Sequence, residues 1–148
     1  AEHREKGFKL LTEGEYQEAI SELEKALDIN PMDEKSQLYI GECFLNYGNY
    51  PAAVRNLESY LKKNDVDANV WYHLAKAYFI LGDYSASGKA SQKSTQLRSD
   101  YIEAYILYGL SMKNSGNPVE AARTWKRILQ IDPDNRVAVK ELRDHEAG

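Results

Sequence analysis

The chain has 148 residues, with 19 basic and 23 acidic side chains and a formal net charge of -4. Folding at this length buries roughly 68–70% of the surface of the unfolded chain, which is enough for a core that needs no covalent staple. Cys43 is the only cysteine, so an intrachain disulfide is excluded.

The order of the residues narrows the class further. Lys and Arg form no block of the kind that neutralises phosphates, so we expect no nucleic-acid partner. No run of about 18 apolar residues is present, so we expect no direct membrane insertion. These features predict a soluble protein with a lean towards the cytoplasm, although a leader or anchor removed beforehand would leave no trace in this sequence.

The chain repeats itself at a shift of 34 residues. Three sets of small residues come into register: Gly7, Gly41, Ala75 and Gly109; Gly14, Gly48, Gly82 and Gly116; Ala19, Ala53, Ser87 and Ala121. Between these sets, apolar side chains recur at helical spacing, as in Trp71, Leu74, Ala75 and Tyr78. The pattern predicts four pairs of helices, with the glycine of the second set ending the first helix of each pair.

In chain order, the predicted repeats occupy residues 1–33, 34–67, 68–101 and 102–135 within one domain, followed by a capping helix over 136–146. Pro51 and Pro118 stand where second helices are expected to begin. Asp100 with Glu103, and Asn117 with Glu120, have the spacing of capping boxes. For the capping helix we expect an apolar side made of Val137, Val139 and Leu142.

The second helix of the third repeat departs from the pattern. It carries Ser87, Gly88, Ser91 and Ser94 where bulky residues and alanine are usual. Glycine costs roughly 1 kcal/mol relative to alanine inside a helix, so this helix should be the least stable of the set. Large neighbours such as Trp125, Tyr105 and Tyr108 are expected to fill the space, the alternative being a surface for close approach of another chain.

The repeat resembles the tetratricopeptide family, whose units read Trp-x2-Leu-Gly-x2-Tyr, then Ala-x3-Phe, then Ala and Pro. Trp71, Leu74, Ala75 and Tyr78 match the first part, and Ala19, Leu23, Ala26 and Pro31 match the second. The resemblance covers essentially the whole chain. It implies an all-α fold, a right-handed α-solenoid of four helix-turn-helix repeats, and a role as a protein-protein interaction module or adaptor.

The resemblance also implies that the first helix of each repeat lines a concave groove that binds a peptide or a helix of a partner protein. The side chains carried over to this groove are Phe8, Leu11, Leu38, Tyr39, Glu42, Leu45, Asn46, Asn69, Tyr72, His73, Lys76, Phe79, Ile106, Leu110 and Lys113. The apolar members would form its floor, and Lys76, Lys113 and Asn46 would anchor polar groups. Leu45 is equally consistent with packing between repeats.

Two other binding roles are alternatives to this groove. One subset of the family grips acidic C-terminal tails of chaperones, but of the matching positions only Arg4 and Asn69 suit that task. Moving one repeat along brings in Glu42 and Glu103, which would repel a carboxylate, so a chaperone tail is disfavoured. The alternative function is a self-assembling homo-oligomeric scaffold, with copies of the chain as partners.

Catalysis is not expected. No acid, base and nucleophile converge in the sequence, and His3, His73 and His145 fall in different repeats without the spacing of metal ligands. Cys43 occupies a position that is mostly small in the other repeats, so we expect a packed thiol rather than a nucleophile. The sequence therefore predicts neither an enzyme nor a bound metal or cofactor.

Overall fold

The computed structural model describes residues 1–148 and contains nine α-helices and no strand, which confirms the all-α class. The chain divides into two compact units, an N-terminal unit of residues 1–65 and a C-terminal unit of residues 66–148. No helix combines the length and the apolar composition that crossing a membrane requires.

Each unit contains two consecutive helix pairs, as the 34-residue repeat predicts, and the C-terminal unit has one further helix at its end. The N-terminal unit contains α1 (Glu2–Thr12), α2 (Tyr16–Ile29), α3 (Glu34–Tyr47) and α4 (Tyr50–Leu61). The C-terminal unit contains α5 (Ala68–Ile80), α6 (Tyr84–Leu97), α7 (Ile102–Asn114), α8 (Pro118–Ile131) and α9 (Arg136–Ala147). We call the odd-numbered members of the first four pairs first helices and the even-numbered members second helices.

The turns within the pairs follow the predicted chemistry. Gly14, Gly48, Gly82 and Gly116 have φ between 81° and 99°, the left-handed region in which glycine has no steric penalty. Gly48 is itself the C-cap of α3, and its N–H donates to the carbonyl of Phe44. Pro51 and Pro118 lie in the first turns of α4 and α8, as expected.

The predicted capping boxes are wrong. Asn117 precedes α8 without a side-chain cap bond, and α7 begins after Tyr101 rather than after Asp100. The first helices α3 and α5 are instead capped by Asp33 and Asp67, which accept from the backbone N–H three residues on. The 34-residue register carries these aspartates onto Tyr101, so α7 has an aromatic ring where its counterparts have a capping carboxylate.

One hydrophobic core cluster of the N-terminal unit lies where α1, α2 and α3 meet. Ala19, Leu23 and Cys43 are fully buried, and Leu11 and Tyr39 pack against them. Burying a leucine side chain such as Leu23 contributes roughly 1.5–3 kcal/mol. Burial raises the pKa of the Cys43 thiol to about 12, with the charge of Glu42 adding to the shift. Cys43 is therefore a packed, protonated side chain, as expected.

A buried carboxylate ties α1 to α2. Glu22 lies on α2 with its side chain 11% exposed, and it accepts a 2.7 Å hydrogen bond from His3 Nδ1. The ammonium groups of Lys6 and Lys25 lie 3.4 and 3.5 Å from the same carboxylate. The bond from His3, together with these two charges, outweighs burial and lowers the pKa of Glu22 to about 2. The carboxylate therefore remains ionised far into the acid range.

This arrangement predicts a pH dependence of stability that Glu22→Gln should remove. The pKa is depressed in the folded state, so the stabilisation is complete above the unfolded value of about 4.5 and is lost as the pH falls towards about 2. We expect the melting temperature of the wild type to fall more steeply than that of the variant between these pH values. Circular dichroism at a series of pH values measures the difference, and parallel curves for the two proteins would contradict it.

In the C-terminal unit the core is built around Trp125 of α8. Its side chain is 1% exposed and packs with Ala121, Ile128 and Ala138. The indole lies directly on Gly109 of α7, where an added Cβ would come within 2.5 Å of the ring. The buried residue of α9 is Ala138, whereas Val137 is 39% exposed, so the apolar side predicted for this helix was partly wrong.

Ser87, Ser91 and Ser94 of α6 are buried within the C-terminal unit, which overturns the alternative of a surface for another chain. The Ser87 hydroxyl donates to the carbonyl of Ala75 at 2.9 Å, and the Ser94 hydroxyl donates to that of Ala68 at 2.8 Å. These bonds join α6 to α5. The neighbour that fills the space at Gly88 is Met112, whose methyl group would lie 2.6 Å from an added Cβ. Trp125, which was expected there, covers Gly109 instead.

Candidate functional site

The residues predicted to bind a partner lie on the first helices, and each unit is described separately. In the N-terminal unit they are carried by α1 and α3, which pack against each other. We call this set the first patch: Phe8, Leu11, Leu38, Tyr39, Glu42, Leu45 and Asn46. In the C-terminal unit they are carried by α5 and α7, and we call that set the second patch: Asn69, Tyr72, His73, Lys76, Phe79, Ile106, Leu110 and Lys113.

An aromatic pair lies at the centre of the first patch. The rings of Phe8 and Tyr39 have centroids 4.9 Å apart, and Phe8 remains 45% exposed. Leu11 of α1 and Tyr39 of α3 are half-buried and pack against the core. Leu38 and Leu45, also on α3, are half-buried as well. A pair of rings that is supported from below and open above is suited to contact with an apolar side chain of another chain.

Asn46 of the first patch and the nearby α1 residue Arg4 both form hydrogen bonds within the N-terminal unit. The amide of Asn46 is exposed but donates to the carbonyl of Glu42 at 2.8 Å, within its own helix. Arg4, the cation considered for a carboxylate, bonds to Asp33 Oδ1 at 3.1 Å and so joins α1 to the start of α3. In this unit the arginine is therefore already paired with a buried acid.

A row of rings and cations runs through the second patch. Tyr72 lies 5.2 Å from Tyr101 between ring centroids, and Lys76 Nζ lies 5.7 Å from the Tyr72 ring. At the other end, the Arg98 guanidinium lies 4.3 Å from the Tyr101 ring. Both distances are within the range of cation–π attraction. Burial, followed by the charge of Glu103, raises the pKa of Tyr72, so its hydroxyl is a neutral donor at physiological pH.

His73 is adjacent to this row but carries no charge at neutral pH. Burial lowers the pKa of His73, and the positive charge of Lys76 lowers it further, against a smaller opposing effect of Asp67. A neutral imidazole can exchange hydrogen bonds but adds no positive charge to the patch. Lys76 is thus the principal cation that α5 supplies.

Four other members of the second patch contact other parts of the C-terminal unit. Phe79 contacts Tyr84 edge-on at 5.2 Å, within its own repeat. Ile106 and Leu110 pack against the core cluster around Trp125. The ammonium of Lys113 bonds to Glu141 of α9 at 2.8 Å. The structure therefore brings Tyr72, His73 and Lys76 together, but it turns the α7 members towards the unit's own core and cap.

Tyr101 was missed in the sequence, although it completes the ring pair with Tyr72 and is 8% exposed. The signal that could have found it is the register itself. An aromatic residue at a position that holds aspartate in the two preceding repeats has no role as a cap, which leaves packing or binding as its use.

Comparisons with known proteins agree with this architecture. One tetratricopeptide repeat profile matches residues 10–77 and a second matches residues 68–101. No curated protein matches the sequence.

Solved structures share the fold at low sequence identity. A crystal structure of MamA has a TM-score of 0.90 at 24% identity, covering 96% of this chain and 83% of its own. The structure of YrrB, described as a TPR protein with an unusual peptide-binding site, has a TM-score of 0.90 at 19% identity, with 98% and 75% covered. The first TPR of Spaghetti (RPAP3), bound to the HSP90 peptide SRMEEVD, has a TM-score of 0.70 at 21% identity, with 77% and 90% covered.

The helix pairs, the constant register and the two matching profiles lead to one assignment: the chain belongs to the tetratricopeptide repeat family.

Proposed function

We propose that the chain is an adaptor that binds a peptide or a helix of a partner protein on the exposed sides of its first helices. The observation that carries this proposal is one ring pair in each unit: Phe8, which is 45% exposed, with the half-buried Tyr39, and the half-buried Tyr72 of the second patch with the buried Tyr101 behind it. Aromatic side chains that are supported in this way are frequent energetic centres of protein interfaces. Two proteins of the same fold, YrrB and RPAP3, are described as binding peptides, which supports a binding role.

The partner proposed is a segment with apolar anchor residues rather than an acidic chaperone tail. Arg4 is paired with Asp33, and His73 is neutral, so neither offers a free positive charge to a terminal carboxylate. Lys76 remains and can bind one acidic or carbonyl group beside the Tyr72 ring. This balance favours an amphipathic ligand that is mostly apolar with a single polar contact.

The test uses peptides selected from a random library on the immobilised wild-type chain. Dissociation constants of the selected peptides are then measured for Phe8→Ala and Tyr72→Ala. Loss of a central ring costs roughly 2 kcal/mol or more, which is about a thirtyfold weaker complex. Tyr72→Phe keeps the ring and should retain most of the affinity, and circular dichroism confirms that each variant is folded.

Val119→Ala is the matched control, because Val119 is 68% exposed and lies on α8, a second helix. Its affinity for the same peptides should equal that of the wild type. If Phe8→Ala and Tyr72→Ala both bound the selected peptides with the affinity of the wild type, both patches would be rejected as the binding surface. A loss in the control as large as in the two aromatic variants would place the peptide on the second helices instead.

A further inference from the structure

The outward sides of the second helices differ in charge between the two units. In each second helix, five residues at fixed positions of the 34-residue register share one face. In α6 these are Ser85, Lys89, Gln92, Lys93 and Gln96, and in α8 they are Val119, Arg123, Lys126, Arg127 and Gln130. All except Lys93 are exposed, and Lys93 is half-exposed. These helices therefore present five cations and no acid at their outward positions.

We call Lys89, Lys93, Arg123, Lys126 and Arg127 the basic face. Lys89, Lys93 and Lys126 form no ion pair, whereas Arg123 is paired with Glu120 at 2.7 Å, and Arg127 donates to Gln130. The two helices flank α7 and pack against it. Lys126 and Arg127 are adjacent in the sequence, but the other cations are three or four residues from the next one on the same helix, so no basic block is visible in the chain itself.

The corresponding positions of the N-terminal unit have mixed charge, with an acidic excess around α2. Five carboxylates in and before this helix are exposed and form no ion pair: Glu13, Glu15, Glu18, Glu24 and Asp28. Glu24 and Asp28 share one side of α2, whereas Glu15 and Glu18 lie at its N-terminal end and Glu13 lies in the turn before it. We use the name acidic face for these five residues together. The nearby Glu22 is not part of it, since its carboxylate is held by His3, Lys6 and Lys25. The chain thus displays unpaired charge of opposite sign on its two units.

We propose that the basic face binds the acidic face of a second copy of this chain. Opposite charge on one and the same molecule provides the complementarity, and an exposed aliphatic side chain accompanies each face, Val119 on the basic side and Ile29 on the acidic side. Such a contact is heterologous, because the two copies contribute different faces to it.

The contact is weak and sensitive to salt. Exposed ion pairs are individually weak, so several pairs must act together. Screening shortens their range from about 30 Å at 0.01 M salt to about 3 Å at 1 M. We therefore expect the weight-average mass from light scattering to rise steadily with protein concentration at about 0.01 M salt, and to return to the monomer value at high salt.

Three triple variants locate the contact. K89E/K126E/R127E reverses the basic face, and E15K/E18K/E24K reverses the acidic face. Each alone should associate at least tenfold more weakly than the wild type. Their mixture should associate again, because the reversed faces are complementary to each other. R55E/K62E/K63E, which reverses three exposed cations of the N-terminal unit, is the matched control and should associate as the wild type does.

A wild type that stays monomeric at low salt overturns the proposal, as does a mixture of the two reversed variants that stays monomeric. A monomeric wild type that binds phosphatidylserine vesicles, and loses that binding in K89E/K126E/R127E, assigns the basic face to anionic lipid and overturns the second-copy assignment. All these substitutions lie outside the two aromatic patches. The peptide affinities measured for those patches should therefore be unchanged, which separates this test from that of the proposed function.

Discussion

Replacing Trp125 with alanine should lower the free energy of unfolding of the C-terminal unit by about 3–5 kcal/mol, the usual cost of removing a buried aromatic ring. The ring is 1% exposed and packs in a cluster with Ala121, Ile128 and Ala138. Its removal therefore leaves a cavity that the neighbouring side chains can fill only in part. Urea denaturation followed by fluorescence measures the loss, since Trp71 remains in the same unit as a probe. A loss below about 1 kcal/mol would contradict the central role of the indole in this core.

A double-mutant cycle of Gly109 and Trp125 tests the contact between these two residues. In the wild type, Gly109→Ala forces a methyl group to within 2.5 Å of the indole, an overpacking that costs about 1–3 kcal/mol. In the Trp125→Ala background the clash is gone, and the same substitution should stabilise the helix by up to about 1 kcal/mol. Gly88→Ala is the matched control, because its methyl group meets only the flexible end of Met112 and should be tolerated far better. An equal loss in both backgrounds would rule out the ring contact.

Replacing Asp33 with alanine should destabilise the N-terminal unit by about 2–3 kcal/mol. The change removes the N-cap of α3, which is worth about 1 kcal/mol, and it leaves the fully buried Ser36 hydroxyl without its 2.9 Å acceptor. It also frees Arg4, whose bond to Asp33 joins α1 to α3. Hydrogen bonds from Ser36 and Arg4 outweigh burial and lower the pKa of Asp33, so this residue, like Glu22, works as a carboxylate.

Two further variants are compared with Asp33→Ala. Asp33→Asn keeps a capping side chain but loses the charge, so its loss should be smaller than that of the alanine variant. Asp28→Ala removes an exposed acid from the same unit and should change stability by no more than about 0.5 kcal/mol. Amide hydrogen exchange over α1 and α3 resolves the effect within the N-terminal unit. Unchanged protection in these helices after Asp33→Ala would contradict the proposed link.

The helix pairs could be predicted from the sequence because every determinant is local and repeated. Helical spacing and the turn glycines recur at a fixed register, so an ambiguous helix boundary in one repeat is resolved by the same position in the others. The caps could not be predicted as safely, because Asp100 and Asn117 satisfy the spacing rule while the backbone begins its helix elsewhere or leaves the side chain unbonded. What covers Gly88 also escaped, since the choice between Met112 and Trp125 depends on how α7 and α8 lie in space.

The binding residues were carried over from family positions, and the structure differentiates among them in a way that no register could. Tyr72 and Phe8 have ring partners, whereas Lys113 is bonded to a helix whose contacts the repeat pattern does not define. The basic face could not be predicted from the order of the residues along the chain. Its cations come together only because the helical period and their exposure place them on one side of α6 and α8.

The burial of Cys43 has a practical consequence for spectroscopy. Its thiol is inaccessible and its pKa is raised to about 12, so almost none of it is in the thiolate form that attacks maleimides. Fluorophores or spin labels can therefore be attached to cysteines introduced at chosen surface positions without first removing the native one. Keeping Cys43 also spares the N-terminal core a void or a misplaced methyl group, so the labelled molecule remains the native one.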